Sequence, residues 1–251
     1  MKKYSAEETK FWDEEYGKIY PQLEDATPYK KLIKAMADAV GQGIGGRWLD
    51  VGCGSGAMVE LIWHASGGKV DEIVAFDLAD TMVRHTQAKV EKLLPPADRK
   101  KVTLLLHDLS YKLPFADGHF DGVVANLVLP YVINHEGEQG KAALRAVLRE
   151  MYRVLKPGGK FVWSSPVKNV NFWRVFFASW REILNPMDIK KLYYGPAVLA
   201  HALTIQKKGQ ESVYSFLDKD ELADLLSAIG FKEVEIKRSF AGQAFVVKSN
   251  K

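Results

Sequence analysis

The sequence predicts an α/β protein: a doubly wound, mostly parallel seven-stranded sheet with an antiparallel last strand, helices on both faces, an N-terminal helical cap and a helical insert after the fifth strand. Three observations carry this expectation. Short apolar runs alternate with amphipathic segments through the middle of the chain, as strands and helices do around a parallel sheet. Three glycines cluster where the first such run turns into the first amphipathic segment. The last two apolar runs stand too close together for a parallel crossover, which needs about a dozen residues, so they pair antiparallel.

Trp48 to Val51 reads as the first strand, followed by a helix over Ala57 to Ala65 with Met58, Leu61 and Ile62 on its inner face. Ile73 to Phe76 is the second strand. A helix then starts with Asp80 as N-cap and stops at Pro95-Pro96. Val102 to Leu106 is the third strand. Gly122 to Leu127 is the fourth, continuously apolar as befits a strand covered on both faces. Leu144, Val147, Leu148, Met151 and Leu155 repeat at helical spacing, and Lys156-Pro157-Gly158-Gly159 ends that helix. Phe161 to Ser164 is the fifth strand. Asp218 to Ile229 is a helix closed by Gly230, and Val234 to Ile236 and Ala244 to Val247 are the final strand pair. The simplest division is one domain: a helical cap over 1–45, a ligand-binding core over 46–165, a helical lid insert over 166–215, and a closing helix and strand pair over 216–251.

Composition narrows the function classes. The chain has 251 residues, 47% apolar and 26% charged, which excludes disorder and coiled coil. Its single cysteine, Cys53, precludes an intramolecular disulfide and fits a reducing compartment. Met1 to Glu8 carries lysines with no apolar run behind them, so no secretory signal is expected and the expected location is cytoplasmic. The longest apolar stretch, Val123 to Ile133, is interrupted by Asn126 and Pro130 and is too short to span a membrane. Net charge is only +4, but it is unevenly spread. Met1 to Asp25 has four lysines against seven acids, and Pro166 to Gln210 has seven basic residues against two acids.

The glycine cluster Gly52-Cys53-Gly54-Ser55-Gly56 lets the backbone take positive φ and lets a ligand lie against the main chain. Asp77 follows the second strand, where a carboxylate can accept both hydroxyls of a ribose, and Asp108 follows the third. In an open parallel sheet the ligand crevice lies at the carboxyl ends of the strands, so these elements converge. A nicotinamide dinucleotide competes, because Gly52, Gly54 and Ala57 also satisfy the Gly-x-Gly-x-x-Gly/Ala pattern. Asp50, an acid at the end of the first strand, argues the other way. It repels a pyrophosphate and attracts an ammonium or sulfonium.

Taken in order, Leu49-Asp50-Val51-Gly52-Cys53-Gly54-Ser55-Gly56, Phe76-Asp77, His107-Asp108-Leu109, Leu113-Pro114-Phe115 with Phe120-Asp121, and Glu150-Met151-Tyr152-Arg153-Val154-Leu155-Lys156-Pro157-Gly158-Gly159 resemble the class I, Rossmann-like S-adenosylmethionine-dependent methyltransferases. Within that family the chain is similar to the small-molecule branch that includes quinone methylases. The likeness covers Trp48 to Ser165 and Phe216 to Val247. It implies S-adenosyl-L-methionine as cofactor and S-adenosyl-L-homocysteine as product. It also implies that the Gly52–Gly56 loop, Cys53 included, passes under the methionine portion and that Asp77 holds the ribose. Asp108 and Leu109 would face the adenine, Leu78 and Met82 would pack on it, and Asn126, Leu127 and Val128 would line the methyl-donor end. Phe11-Trp12-Asp13-Glu14-Glu15-Tyr16 and Tyr20 look like a segment that folds over the cofactor in such enzymes, with Tyr16 and Tyr20 on one helix face; a surface helix packing its aromatics on the core is the alternative.

Methyl transfer from a sulfonium asks chiefly for an in-line acceptor and exclusion of water. If a base is needed, His135 and Tyr131, just past the fourth strand, are the candidates. Cys53 lies inside the glycine loop and lacks the placement of a nucleophile. The six histidines have no zinc spacing, and no metal is expected. Asn126-Leu127-Val128-Leu129 departs from the Asn-Pro-Pro-Tyr type of signature of nucleic-acid amino-methylases, which disfavours a nucleic-acid partner. Between Val170 and Leu184, Phe172, Phe176, Trp180 and Ile183 form an apolar stripe widened by Trp173, Phe177 and Leu184. It reads as a lid over a hydrophobic acceptor, with Arg174, Arg181, Lys190 and Lys191 available to an acidic head group or membrane surface. A helix packed on the domain edge or in a dimer interface is the plainer alternative. The sequence reading is therefore a methyltransferase acting on a small apolar or aromatic acceptor, as monomer or homodimer, with peripheral membrane contact left open. An RNA methyltransferase and a non-catalytic cofactor-binding module remain alternatives.

Overall fold

The computed structural model describes residues 12, 13, 24, 26–183 and 189–251, the side chains of 180–183 and 189–196 excepted. In chain order the elements are α1 (Thr27–Val40), β1 (Arg47–Val51), α2 (Ala57–Ala65), β2 (Glu72–Asp77), α3 (Asp80–Leu93), β3 (Val102–Leu106) and β4 (Phe120–Asn126). There follow a short hairpin, β5 (Asn134–His135) with β6 (Glu138–Gln139), then α4 (Lys141–Val154), β7 (Leu155–Pro166), α5 (Phe172–Ile183), α6 (Ile189–Gln210), α7 (Lys219–Ile229), β8 (Lys232–Ser239) and β9 (Ala244–Asn250). The main sheet has the order β3-β2-β1-β4-β7-β9-β8. β9 runs antiparallel to both neighbours and the other pairings are parallel. This is the predicted seven-stranded, doubly wound sheet.

Side-chain alternation along β1 assigns the two faces. Leu49 and Val51 point into a core shared with Leu144, Val147, Leu148 and Met151 of α4 and Leu222 and Leu226 of α7. Trp48 points into the opposite core, with Leu32, Met36 and Val40 of α1 and Met58, Val59 and Ile62 of α2. Trp48 lies across its β4 neighbour Gly122, where an added Cβ would fall 2.5 Å from the indole ring. Glycine is what lets β1 and β4 pair beside a buried tryptophan. The strand order reverses between β1 and β4, and at that switch point the loops leaving the two strands diverge and open a crevice.

Four local readings are corrected. The N-cap of α3 is Ala79, not Asp80, and Ala79 has no capping side chain. Asp13 supplies the cap from a distance: its carboxylate accepts the Thr81 N–H at 3.1 Å and the Thr81 hydroxyl at 2.6 Å. Lys156-Pro157-Gly158-Gly159 does end α4, but it already belongs to β7, absorbed in the irregular register between Phe120 and Gly122. The strand pair at the chain's end is longer than its apolar residues suggest. The insert after β7 holds a second helix, α6, with Gly195 and Pro196 in its interior.

Arg153 fixes the stretch before β4. Its guanidinium donates to the carbonyls of Leu113 and Phe115 at 3.1 and 2.7 Å, and to both Glu150 oxygens at 2.9 and 2.8 Å. α7 begins in a capping box, with Asp218 accepting from Asp220 and Glu221 N–H while Glu221 accepts from the Asp218 N–H. Glu221 also receives Lys141 at 2.9 Å and Lys168 at 3.0 Å. The Asp218 N–H first, then the two ammonium groups, hold its carboxyl down to about 2.

A carboxyl lowered by folding adds stability above its unfolded value, ordinarily 4.5, and loses it as pH falls through the folded value. The melting-temperature gap between wild type and Glu221→Gln is therefore expected in full at pH 7 and to shrink steadily as pH falls from 4.5 toward 2. A gap constant over that range contradicts the assignment.

Candidate active-site cleft

The crevice at the switch point is a cleft of about 850 Å³, partly open to solvent. β1 supplies its floor. After Val51 the chain passes through Gly52, Gly54 and Gly56 at φ of 66°, 54° and 83°, and Gly56 is the left-handed N-cap of α2. An added Cβ on Gly52 would lie 2.4 Å from the Val128 side chain, so this loop and the one leaving β4 meet with no room to spare. Gly52 and Gly54 line the cleft.

β2 ends in Asp77, which ties the loop down. One carboxylate oxygen accepts the Gly54 N–H at 2.9 Å and the other the Ala79 N–H at 3.0 Å. Burial pushes its carboxyl above the usual range, against the pull of the N–H groups of Ala79, Gly54 and Leu78. Leu78 and Met82 continue this wall. From β3 come Asp108, whose carboxylate accepts the Ser110 N–H at 2.7 Å, and Leu109. From β4 come Asn126, Leu127 and Val128, with Leu127 at a φ of 54°.

Asp50, Cys53 and Gly56 are placed behind this surface, not on it. Asp50 is fully buried, and neither of its oxygens has a hydrogen-bond partner among the described residues. Burial, then the charge of Asp77, pushes its carboxyl well above the usual range. The Val59 N–H in the first turn of α2 opposes that push. Cys53 is buried, accepts a hydrogen bond from the Thr86 hydroxyl at 3.4 Å, and has its thiol pushed up by burial.

Of the two candidate bases, Tyr131 lines the cleft and His135 does not. His135 is buried in the β5–β6 hairpin, its Nδ1 2.6 Å from the Leu109 carbonyl, an arrangement in which Nδ1–H donates. Trp12, from the segment expected to fold over the ligand, does form part of the wall, its ring 5.4 Å from that of Tyr131. Tyr16 and Tyr20 lie outside the described residues. Sequence reasoning passed over Phe76, His107 and Val132, which also line the cleft. His107 donates its main-chain N–H to the Asp77 carbonyl at 3.0 Å, its ring meets Phe76 edge-on, and its Nε2 is buried without a partner among the described residues. The one signal for it was its position before Asp108.

A methyltransferase-domain family model matches residues 49–163. The demethylmenaquinone methyltransferase of Anoxybacillus flavithermus is 30% identical over 195 residues, covering 77% of this chain and 73% of the relative. The chain belongs to the S-adenosylmethionine-dependent methyltransferases. The Geobacillus sp. demethylmenaquinone methyltransferase aligns over 92% of this methyltransferase and 91% of its own length at 27% identity. A solved SAM-dependent methyltransferase from Aquifex aeolicus shares the fold, with a TM-score of 0.55 and 20% identity over 99% of both chains.

Gly52→Ala places a Cβ against Val128 at a strained φ, costs that together reach about 3 kcal/mol. It is expected to lower calorimetric affinity for adenosylhomocysteine by about 100-fold. Gly43→Ala, also at positive φ but with nothing within 4 Å of the added carbon, is the control and is expected to leave affinity unchanged. Equal behaviour of the two variants would remove the loop from the site.

Proposed function

We propose that this methyltransferase binds S-adenosylmethionine in the β1–β4 cleft and methylates a small aromatic acceptor of quinone type. The observation that carries the reading is the chemistry of the carboxylates at the strand ends. Asp77 presents its carboxylate at the cleft wall beside main chain stripped of side chains, and Asp50 is a buried carboxyl with no hydrogen-bond partner among the described residues, so that a cation beside it favours its ionised form. Such a site suits a ligand with ribose hydroxyls and a cationic end and disfavours a pyrophosphate.

Asp77, already holding Gly54 and Ala79, has acceptor capacity left for the ribose. Asp108 and Leu109 would flank the nucleobase, with Leu78 and Met82 packed on it. Gly52, Cys53, Gly54 and Gly56 would carry the amino-acid portion past Asp50, and Asn126, Leu127 and Val128 would border the methyl. Bound there, the cofactor supplies a methyl group on a sulfonium, itself a good leaving group. The protein's share is to align the acceptor and keep water out. Trp12, Tyr131 and Val132 offer an apolar wall for a flat ring, and the Tyr131 hydroxyl is the nearest candidate for taking a proton. His135, turned to the Leu109 carbonyl, would act only through that segment. Tyr16 and Tyr20 stay as proposed cover.

The acceptor class comes from the relatives named demethylmenaquinone methyltransferase. It agrees with the aromatic wall. An oxidised quinone offers no nucleophile, so the acceptor would be the reduced, hydroxylated ring, and the enzyme falls in EC 2.1.1. Cytoplasmic residence and one domain with a lid over 166–215 are part of the same proposal. No helix among the described residues is long and apolar enough to cross a membrane. Peripheral lipid contact through α5 is supported by Trp173 and Phe177, which are 43% and 63% exposed.

Incubation with labelled donor and a fractionated cell extract tests the acceptor. Label is expected in the organic phase, and label confined to RNA would overturn the acceptor class. A cation beside Asp50 lowers its raised carboxyl, so binding should release a proton and affinity should rise with pH through the range where free Asp50 titrates. Calorimetry with adenosylhomocysteine in buffers of different ionisation enthalpy checks this, and Asp50→Asn should abolish the proton release. Binding without proton exchange at any pH contradicts the role given to Asp50.

A further inference from the structure

We propose that Ser164 is a positioning residue that holds the Asn126–Val128 wall of the cleft in shape, although it does not itself line the cleft. Ser164 lies on β7 directly opposite Asn126 of β4, and it is fully buried. Its hydroxyl accepts the Leu127 N–H at 2.9 Å and donates to the Asn126 Oδ1 at 2.7 Å. The Asn126 Nδ2 in turn donates to the Tyr29 hydroxyl of α1 at 3.2 Å. The single Ser164 proton and one of its two lone pairs are thereby used on two adjacent residues of one wall.

These two residues need holding. Leu127 has a φ of 54°, a conformation that a leucine adopts only when its surroundings impose it. Here the chain leaves β4 and turns into the 3-10 turn Leu129–Tyr131, which delivers Tyr131 to the cleft. Were Leu127 to relax, Val128 would lose its place against Gly52 and Tyr131 its angle to the acceptor. An alanine at 164 removes the partner of the part-buried Leu127 N–H and of the buried Asn126 Oδ1, which favours that relaxation. The effect should concentrate at the methyl-donor end and spare the Asp77–Asp108 end some strands away. The division of the cleft into these ends rests on the function proposed above.

Ser164→Ala and the milder Ser164→Cys, which keeps the volume and a weak donor, test the proposal in two ways. In the free protein, hydrogen exchange at the Leu127 amide is expected to speed up by at least about tenfold in the alanine variant and by less in the cysteine variant, with the amides of β1 unchanged. By calorimetry, affinity for adenosylhomocysteine is expected to fall about tenfold. Affinity for adenosine, which lacks both the sulfur and the amino-acid portion, is expected to stay within threefold. Unchanged Leu127 exchange overturns the proposal, and so does faster exchange with both affinities unchanged or equally reduced. If alanine prevents folding, the cysteine variant decides on the same readouts. A wild type that binds neither nucleoside defeats the proposed function alone, and the exchange measurement still decides the role of Ser164.

Discussion

The organisation of the cleft depends on one carboxylate. Asp77 stands at the end of β2, and its two oxygens bind the Gly54 N–H at 2.9 Å and the Ala79 N–H at 3.0 Å. The first bond fixes the glycine loop leaving β1 and the second shapes the entry into α3. Without it the loop would keep the bonds from the Cys53 N–H to the Phe76 carbonyl and from the Gly56 N–H to the Cys53 carbonyl but lose the one that fixes Gly54, where a glycine has positive-φ freedom and no side chain to pack. Burial resists the negative charge and the N–H groups favour it. The site is thus electrostatically poised before any ligand arrives.

The constraint propagates outward. With the loop fixed, Gly52 meets Val128, and the β4 exit must take the strained path that Ser164 and Asn126 secure. On the other side, Asp13 reaches back to cap α3 through Thr81, which brings Trp12 into the cleft wall. Glu24 accepts the Ser55 hydroxyl and lies 3.6 Å from Lys89, a second tie between the segment before α1 and the loop. The floor, the donor wall and the cover are therefore linked through backbone N–H groups and short polar side chains, while the apolar cores hold the sheet itself. This suits a reaction whose demands are alignment and dryness more than proton transfer.

Much of this was legible in the sequence because its causes are local. Strand and helix periods, the glycine loop and acids placed just after strands are written in adjacent residues, and the sheet and most of the cleft wall follow from them. What was missed depends on contacts between distant positions. Asp13 as a cap sits 68 residues from Thr81. His107 was read only as part of the His107-Asp108-Leu109 run, and its ring joins the cleft lining by meeting Phe76 of β2. The second helix of the insert was not read from the sequence: α6 passes through Gly195 and Pro196, its far end anchored by the buried Ile205. The β5–β6 hairpin pairs only two residues a side, too short for any pattern. Asp50 was expected to bind the ligand, whereas alternation along β1 turns it under α2, where burial pushes its carboxyl up.

Titration of wild type and Asp77→Ala with adenosylhomocysteine, accompanied by thermal melts, decides whether this carboxylate organises the cleft. The variant is expected to melt cooperatively still and to lose affinity by about 100-fold or more, on the order of 2.7 kcal/mol. A folded variant that binds as tightly as wild type would contradict that role.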